Sequence, residues 1–344
     1  MTTSETVEFD SAVSALSRAR SVTILCHVQP DADTIGSGLA LALVLHRRGT
    51  TVCVSFAEPA ELPASLRSLP GVEHLVAPAE VPRETDLLVV VDCGSVTRLG
   101  ALADRMEGAA TSLVLDHHRS NTRFGTINLV DPDAVSTTSV VAALLDAWQV
   151  PIDAEIAHCL YAGLVTDSGS FRWVRAGTHA LAEQLLATGI DGAEITRTLL
   201  DTHPFGWLRM LSQVLASARI EPEAHGGVGL VYAYVLREDI DGLRAEDAES
   251  VVDIVRTADA AGIAAVFKEG RVAADANAAA PDSPPQRRWT VSLRSRDSGP
   301  GAEDGVDVSL VATALGGGGH RYAAGYTTYG EPEELIAQLR AALG

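Results

Sequence analysis

Through the first half of the chain, short apolar runs alternate with longer stretches whose apolar residues recur at helical spacing. The runs at 21–26 (SVTILC), 52–56, 86–91 (DLLVVV) and 111–115 (TSLVL) are rich in Val, Ile and Leu and are too short for helices. They predict buried strands. Between the first two, TIGSGLALALVLHRR predicts a helix over 34–48, with Gly36 and Gly38 near its start and Gly49 as its stop. Ser136, Thr137, Thr138 and Ser139 precede an apolar helix to Trp148. A largely apolar helix follows over 153–165 and ends at Thr166-Asp167-Ser168-Gly169. Such alternation predicts a mainly parallel sheet flanked by helices.

From 178 to 218 the pattern is helical throughout, and 204–218 reads as a connecting helix. The second half restarts with a strand pattern at 227–236 and a helix near 245–258. Strands at 262–268 and 289–294, a helix over 306–315, a glycine run, a further strand and a helix over 332–343 complete it. Residues 273–286, rich in Ala, Pro, Asp and Ser, read as a long hairpin loop or insertion. The expectation is an α/β protein of two domains. An N-terminal domain over 1–195 joins a smaller α/β domain over 221–344 through a helical linker at 196–220.

Composition sharpens this. A chain of 344 residues that is 47% hydrophobic can build two sizeable cores. It has no run of about 18 apolar residues and opens on a polar, acidic segment, so neither a transmembrane helix nor a secretory signal is expected. Cys26, Cys53, Cys93 and Cys159 are widely spaced and form no CxxC pair. They read as buried, reduced thiols of a cytoplasmic protein. The net charge of -19 argues against a broad basic face for long nucleic acid. A nucleic-acid substrate would have to be short, its charge met by metals and a few arginines.

The chemistry gathers at the ends of the apolar runs. His27, Asp31 and Asp33 lead from the first strand into its helix. Asp92 ends another strand, Asp116-His117-His118 follows a third, and Asp167 ends a helix. In open α/β sheets ligands bind beyond the carboxyl ends of the strands, so chain-distant segments can deliver these side chains to one crevice. Singly, each is bland, since a strand-end Asp is most often a turn or cap residue. Together they offer two imidazoles and four carboxylates. That is too many hard ligands for one structural zinc, and it suits two divalent ions sharing a carboxylate. Mixed ligation favours Mn²⁺, with Co²⁺ or Fe²⁺ as alternatives and Mg²⁺ as a substitute that prefers oxygen. The pattern is that of a metal-dependent hydrolase. In the second half, Gly316, Gly317, Gly318 and Gly319 before His320 can let backbone line an anion site, or can form a flexible turn. Arg294, with Ser292, is a candidate phosphate clamp, whereas Arg288 and Arg296 read as solvated charges. The 136–139 helix start either caps its helix or offers N–H groups to a phosphate.

HVQPDADTIGS, VVVDCGS, DHH and TDSGS, in this order, resemble the four motifs of the DHH phosphoesterase superfamily, and GGGGH resembles the signature of its associated C-terminal domain. Within it, the chain is most similar to the NrnA-like bifunctional oligoribonucleases and 3′-phosphoadenosine-5′-phosphate (pAp) phosphatases. The resemblance implies two Mn²⁺ per chain, one held by His27, Asp31 and Asp92, the other by Asp33, Asp92, His117 and Asp167. It makes His118 a non-ligand facing the scissile phosphate and Asp116 the residue that orients a ligand imidazole. It gives Gly317, Gly318, Gly319 and His320 a substrate-binding role. It also implies a homodimer acting on short RNA or nucleotides, including pApA and cyclic di-AMP, with no long nucleic acid or membrane as partner. Gln29, Ala32 and the fourth glycine depart from the common motif without removing a ligand. The competing readings are a family II pyrophosphatase or short-chain polyphosphatase, and a nucleotide-binding regulator without turnover.

Overall fold

The computed structural model describes residues 3–270, 287–296 and 305–344 and divides into two compact units, Met1–Thr202 and His203–Gly344. The predicted linker at 196–220 therefore splits between them, and the predicted 273–286 insertion lies outside the described residues.

The first unit opens with α1 (Thr3–Arg18) and β1 (Ser21–Leu25), followed by α2 (Ala32–Arg47), β2 (Thr51–Ser55), β3 (Leu87–Val91), β4 (Ser112–Asp116) and β5 (Ile127–Val130). The five strands form an all-parallel sheet of order β2-β1-β3-β4-β5. The unbroken apolar run of β3 follows from burial on both faces. Leu87, Val89 and Val91 join one cluster, while Leu88 and Val90 join another with Leu99 and Leu102. The first cluster also contains α2, α3 (Thr137–Ala147) and α4 (Ala154–Asp167). Each buried Leu or Val contributes about 1.5–3 kcal/mol of transfer free energy. Helix α2 starts two residues earlier than predicted because the Asp31 side chain accepts the N–H groups of Asp33 and Thr34. Gly36 lets α2 approach α4, since a Cβ there would collide with the Cys159 carbonyl.

The stretch predicted to be helical over 178–218 forms three helices, α5 (Thr178–Leu186), α6 (Gly192–Leu200) and α7 (Gly206–Ser217), the last of them the predicted connecting helix. Gly189, at φ 94°, and Pro204 break it, and Asp191 caps the second piece. Helix α1 and the short strands β5 and β6 had no counterpart in the sequence reading. All four cysteines are free thiols; Cys26, Cys93 and Cys159 are buried, and Cys53 only partly so.

The second unit contains β6 (Arg219–Glu221), the one-turn α8 (Ala224–Gly227), β7 (Leu230–Val235), α9 (Val251–Val255), β8 (Ile263–Glu269) and β9 (Arg288–Ser295). It ends with α10 (Val308–Ala314), β10 (Gly318–His320), β11 (Ala323–Tyr329) and α11 (Pro332–Leu343). The helix predicted over 245–258 is thus far shorter. The six strands run in the order β10-β11-β9-β8-β7-β6, parallel only between β7 and β8. One face, with Phe267, Trp289, Val291 and Leu293, packs against α10 and α11. On the other, Val231, Ala233, Val235, Ala264 and Val266 are covered by Met210 and Val214 of α7 and Val251, Val252 and Val255 of α9. This second cover spans β7 and β8. The residues of β9 and β11 in register with that face, Ser292, Arg294, Ala323 and Gly325, belong to neither core.

Candidate active site

Strand order places the crevice. From β1 the chain crosses to β2 on one side, and β3 lies on the other, so the winding direction switches between β1 and β3. Ligand sites form at such switch points, beyond the carboxyl ends. His27 follows β1, Asp92 follows β3, and Asp116, His117 and His118 end or follow β4, the next strand. Asp92 holds φ 59°, unusual for a non-glycine residue, while its N–H donates to the Leu115 carbonyl at 2.9 Å. The strand pairing thus continues to the residue that turns into the site.

The six predicted ligands converge. His27 Nε2 lies 3.5 Å from Asp31 Oδ2 and 3.3 Å from Asp92 Oδ2. His117 Nε2 lies 3.2 Å from Asp167 Oδ2, 3.6 Å from Asp92 Oδ1 and 3.8 Å from Asp33 Oδ2. Two ligand groups whose atoms all lie within 4.8 Å of one another, His27/Asp31/Asp92 and Asp33/Asp92/His117, share Asp92. His27 Nδ1 is 2.8 Å from the Val28 carbonyl, a contact that directs Nε2 toward the carboxylates, and 3.1 Å from Arg98 Nη2.

Backbone and hydroxyl donors fix the carboxylates. Asp33 is fully buried, and its oxygens accept the Thr137 N–H at 2.6 Å and the Thr138 N–H at 2.9 Å. Thr137 Oγ1 donates to Asp92 Oδ1 at 2.8 Å. The start of α3 therefore binds protein carboxylates, and Ser136 caps it through the Ser139 N–H; this displaces the phosphate-binding alternative for residues 136–139. Gly163 of α4 makes the room, because a Cβ there would lie 2.5 Å from Asp33 Oδ1 and from Thr138 Cγ2.

Asp116 differs from expectation. Its buried carboxylate holds the His118 ring through Nδ1 at 2.7 Å and takes the His117 backbone N–H at 2.8 Å and Asn121 Nδ2 at 2.5 Å. It orients His118, whereas the His117 ring is placed by Asp167 and the Ala134 carbonyl, 3.4 Å from Nδ1.

In the second unit four of the predicted substrate residues, Ser292, Arg294, Gly318 and His320, share one sheet face. Gly325 pairs with both Gly318 and Ser292, and Ala323 pairs with both His320 and Arg294. Gly318 and Gly319 begin strand β10, whereas Gly316, at φ 81°, lies in the turn before it. Gly317 and Gly319 are required by close packing, since Cβ atoms there would strike the Gly325 and Ala323 carbonyls, whereas Gly318 meets nothing within 4 Å. Arg294 Nε donates to Asp253 Oδ1 at 3.3 Å, and Arg256 Nε donates to the same oxygen at 3.0 Å. Arg296, read as a solvated charge, instead donates to the Arg256 carbonyl at 3.1 Å.

The model of the DHH family N-terminal domain matches residues 21–164. The bifunctional oligoribonuclease and PAP phosphatase NrnA of Thermus thermophilus is 33% identical over 311 residues, 90% of this chain and 84% of that protein. The chain belongs to the DHH family. A probable bifunctional oligoribonuclease and PAP phosphatase NrnA of Streptococcus mutans is 22% identical over 339 residues, covering 96% of this chain and 98% of its own. The fold matches that of an exopolyphosphatase-related protein from Bacteroides fragilis with a TM-score of 0.81, at 24% identity, over 98% of this chain and 95% of that one.

DHH proteins are metal-dependent phosphoesterases, and the donor set here fits such metals. Burial and the charges of Asp167 and Asp92 push Asp33 well above the usual carboxylate range. Burial works against protonating His27 and His117. Yet Asp31 and Asp92 raise the pKa of His27 to about 10, and Asp167, Asp92 and Asp33 raise that of His117 to about 10. Protons here stand in for cations, the mark of an anionic pocket built for positive charge. Thr137, Arg98 and Gly163 also shape this DHH site without having been singled out by sequence. Thr137 lay within the Ser/Thr run read as a cap, and nothing in the pattern flagged the other two.

Proposed function

We propose that the chain is a Mn²⁺-dependent phosphoesterase that hydrolyses short oligoribonucleotides to nucleoside monophosphates, pAp to AMP and phosphate, and pApA or cyclic di-AMP to AMP. The observation that carries this reading is the pair of ligand groups joined through Asp92, with His118 beside them but held by Asp116. His27, Asp31 and Asp92 would hold one ion and Asp33, Asp92, His117 and Asp167 the other. Bound divalent ions would acidify water and stabilise charge on the phosphoryl oxygens. Backbone N–H groups of α3 hold Asp33 in place, and Thr137 fixes the oxygen of Asp92 that faces His117. Asp116 occupies Nδ1 of His118, so contact with the phosphate, and any proton exchanged with it, passes through Nε2. Ser292, Arg294, Gly317, Gly318, Gly319 and His320 would bind the nucleotide.

Short substrates are supported by the names of the relatives and by the net charge of -19, which repels each phosphate beyond the site. Phe205, 89% exposed, and Leu208, 57% exposed, support a homodimer. No described helix is long and apolar enough to cross a membrane. The test is kcat/KM with Mn²⁺ on pAp, pApA, cyclic di-AMP, pyrophosphate, and RNA from two to about twenty-four nucleotides. The expected result is a steep fall with RNA length and turnover of pAp. Equal rates across lengths, or pyrophosphate exceeding every nucleotide, would overturn it, and binding without turnover would make the chain a regulator.

A further inference from the structure

The chain carries 26 basic side chains, and Lys268 is the only lysine among them. It is also buried, with 8% of its surface exposed, whereas lysines ordinarily keep their ammonium in water. Lys268 lies on β8 and opposes Thr290 of β9, on the face that carries Ser292 and Arg294. Its Nζ donates to Ser292 Oγ at 2.9 Å and pairs with Glu249. The pair is lopsided, because the Glu249 side chain is 61% exposed and that of Lys268 only 9%. The ammonium is fixed by the sheet, and the carboxylate can swing into solvent.

The surroundings leave room for an anion. In register beside Ser292 lie Gly325 and then Gly318, and beside Arg294 lie Ala323 and then His320. Gly325, Gly318 and Ala323 are small, Arg294 is a cation, and these positions lie outside both cores of the unit. Arg294 and Arg256 share Asp253 beside the Lys268–Glu249 pair, so guanidinium groups line the same face as the ammonium. An ammonium sharing its donors between a hydroxyl and a displaceable carboxylate is suited to a phosphate, which offers more acceptor oxygens than Glu249.

We propose that Lys268 is a specificity-determining residue of the nucleotide-binding face: a phosphate group of the substrate displaces Glu249 from Nζ and is held by Lys268 and Ser292. The inference rests on the proposed nucleotide phosphoesterase reading and adds a residue to it. Glu249 is a built-in competitor, so molecules without a phosphate gain nothing from Lys268 and leave the ion pair closed.

A single lysine makes the test direct. Protein grown with ¹³C-labelled lysine shows one ε-methylene resonance, from Lys268. Inorganic phosphate and pAp should shift it saturably, while adenosine leaves it in place. Lys268→Met should raise KM for pAp by about ten- to hundred-fold, the scale of one charged hydrogen bond, with metal content retained. Glu249→Gln, which removes the competitor, should lower KM. A resonance that pAp leaves unmoved at saturation, or a folded Lys268→Met variant with wild-type KM, overturns the assignment. If the wild-type enzyme turns over neither pAp nor short RNA, the substrate reading fails on its own, and the phosphate titration still reports on Lys268.

Discussion

The two units solve opposite problems with polar side chains. In the first, Asp33, Asp92, Asp116, His27 and His117 are all at most 5% exposed, and each is held by backbone, hydroxyl, imidazole or carboxylate partners. In the second, Ser292, Arg294, Gly318 and His320 sit half-buried in adjoining rows of a single sheet face. The first arrangement suits chemistry, which needs ligands that do not move. The second suits selection, which needs room and replaceable contacts. Changes in the first unit should therefore abolish reaction, and changes in the second should redistribute substrates.

The largest effect expected is from Asp92→Ala. One carboxylate serves both ligand groups, so the variant should lose metal and fall in kcat/KM by about a thousand-fold or more. Elemental analysis beside kinetics checks this, and near-wild-type turnover would break the shared-ligand assignment. His118→Ala should lower kcat by about 10²–10⁴-fold while metal content is retained, because Asp116 already engages Nδ1 of its ring. Loss of a metal equivalent would move His118 into the ligand set.

Proton competition offers a graded test. His27 and His117 keep their protons up to about pH 10 in the metal-free protein, and a metal must displace them. Metal affinity should therefore rise with pH across the neutral range, by up to about a hundred-fold per unit if both protons leave. Calorimetry in buffers of different ionisation enthalpy would count them, and a pH-independent affinity would remove both imidazoles from the site. Gly163→Ala should be milder. Its methyl group would press on Asp33 and Thr138, destabilising the first unit by about 1–3 kcal/mol and weakening metal binding together. An unchanged melting temperature with full metal content would show that α4 can yield there.

The same contrast explains what was legible in the chain. The four motifs of the first unit lie at strand and helix ends, where apolar periodicity stops and side-chain type shows through. His27, Asp31, Asp33, Asp92, His117 and Asp167 could therefore be singled out as candidates from order and residue type, and the structure brings them together. What could not be read was who holds whom. Asp116 grips His118 instead of a ligand ring, and Thr137 and Thr138 spend their N–H groups on Asp33, because those choices depend on the close approach of α3, α4 and β4. Strand β5 is only four residues long, with Asn128 and a buried half, and gave too weak an alternation to stand out. In the second unit, the glycine run looked like a turn or an anion loop, yet Gly317 and Gly319 are needed for pairing with β11. Lys268 was invisible as a site residue because its significance comes from burial, which no sequence window displays.

Arg294→Ala gives the most direct test of the division between the two units. The measurement is the ratio of kcat/KM on pAp to that on a nitrophenyl phosphodiester, taken at constant metal content. The account predicts that metal stoichiometry and the generic rate stay near wild type while the ratio falls by about ten- to hundred-fold, the scale of a lost charged hydrogen bond. An unchanged ratio, or metal lost in parallel with activity, would contradict it.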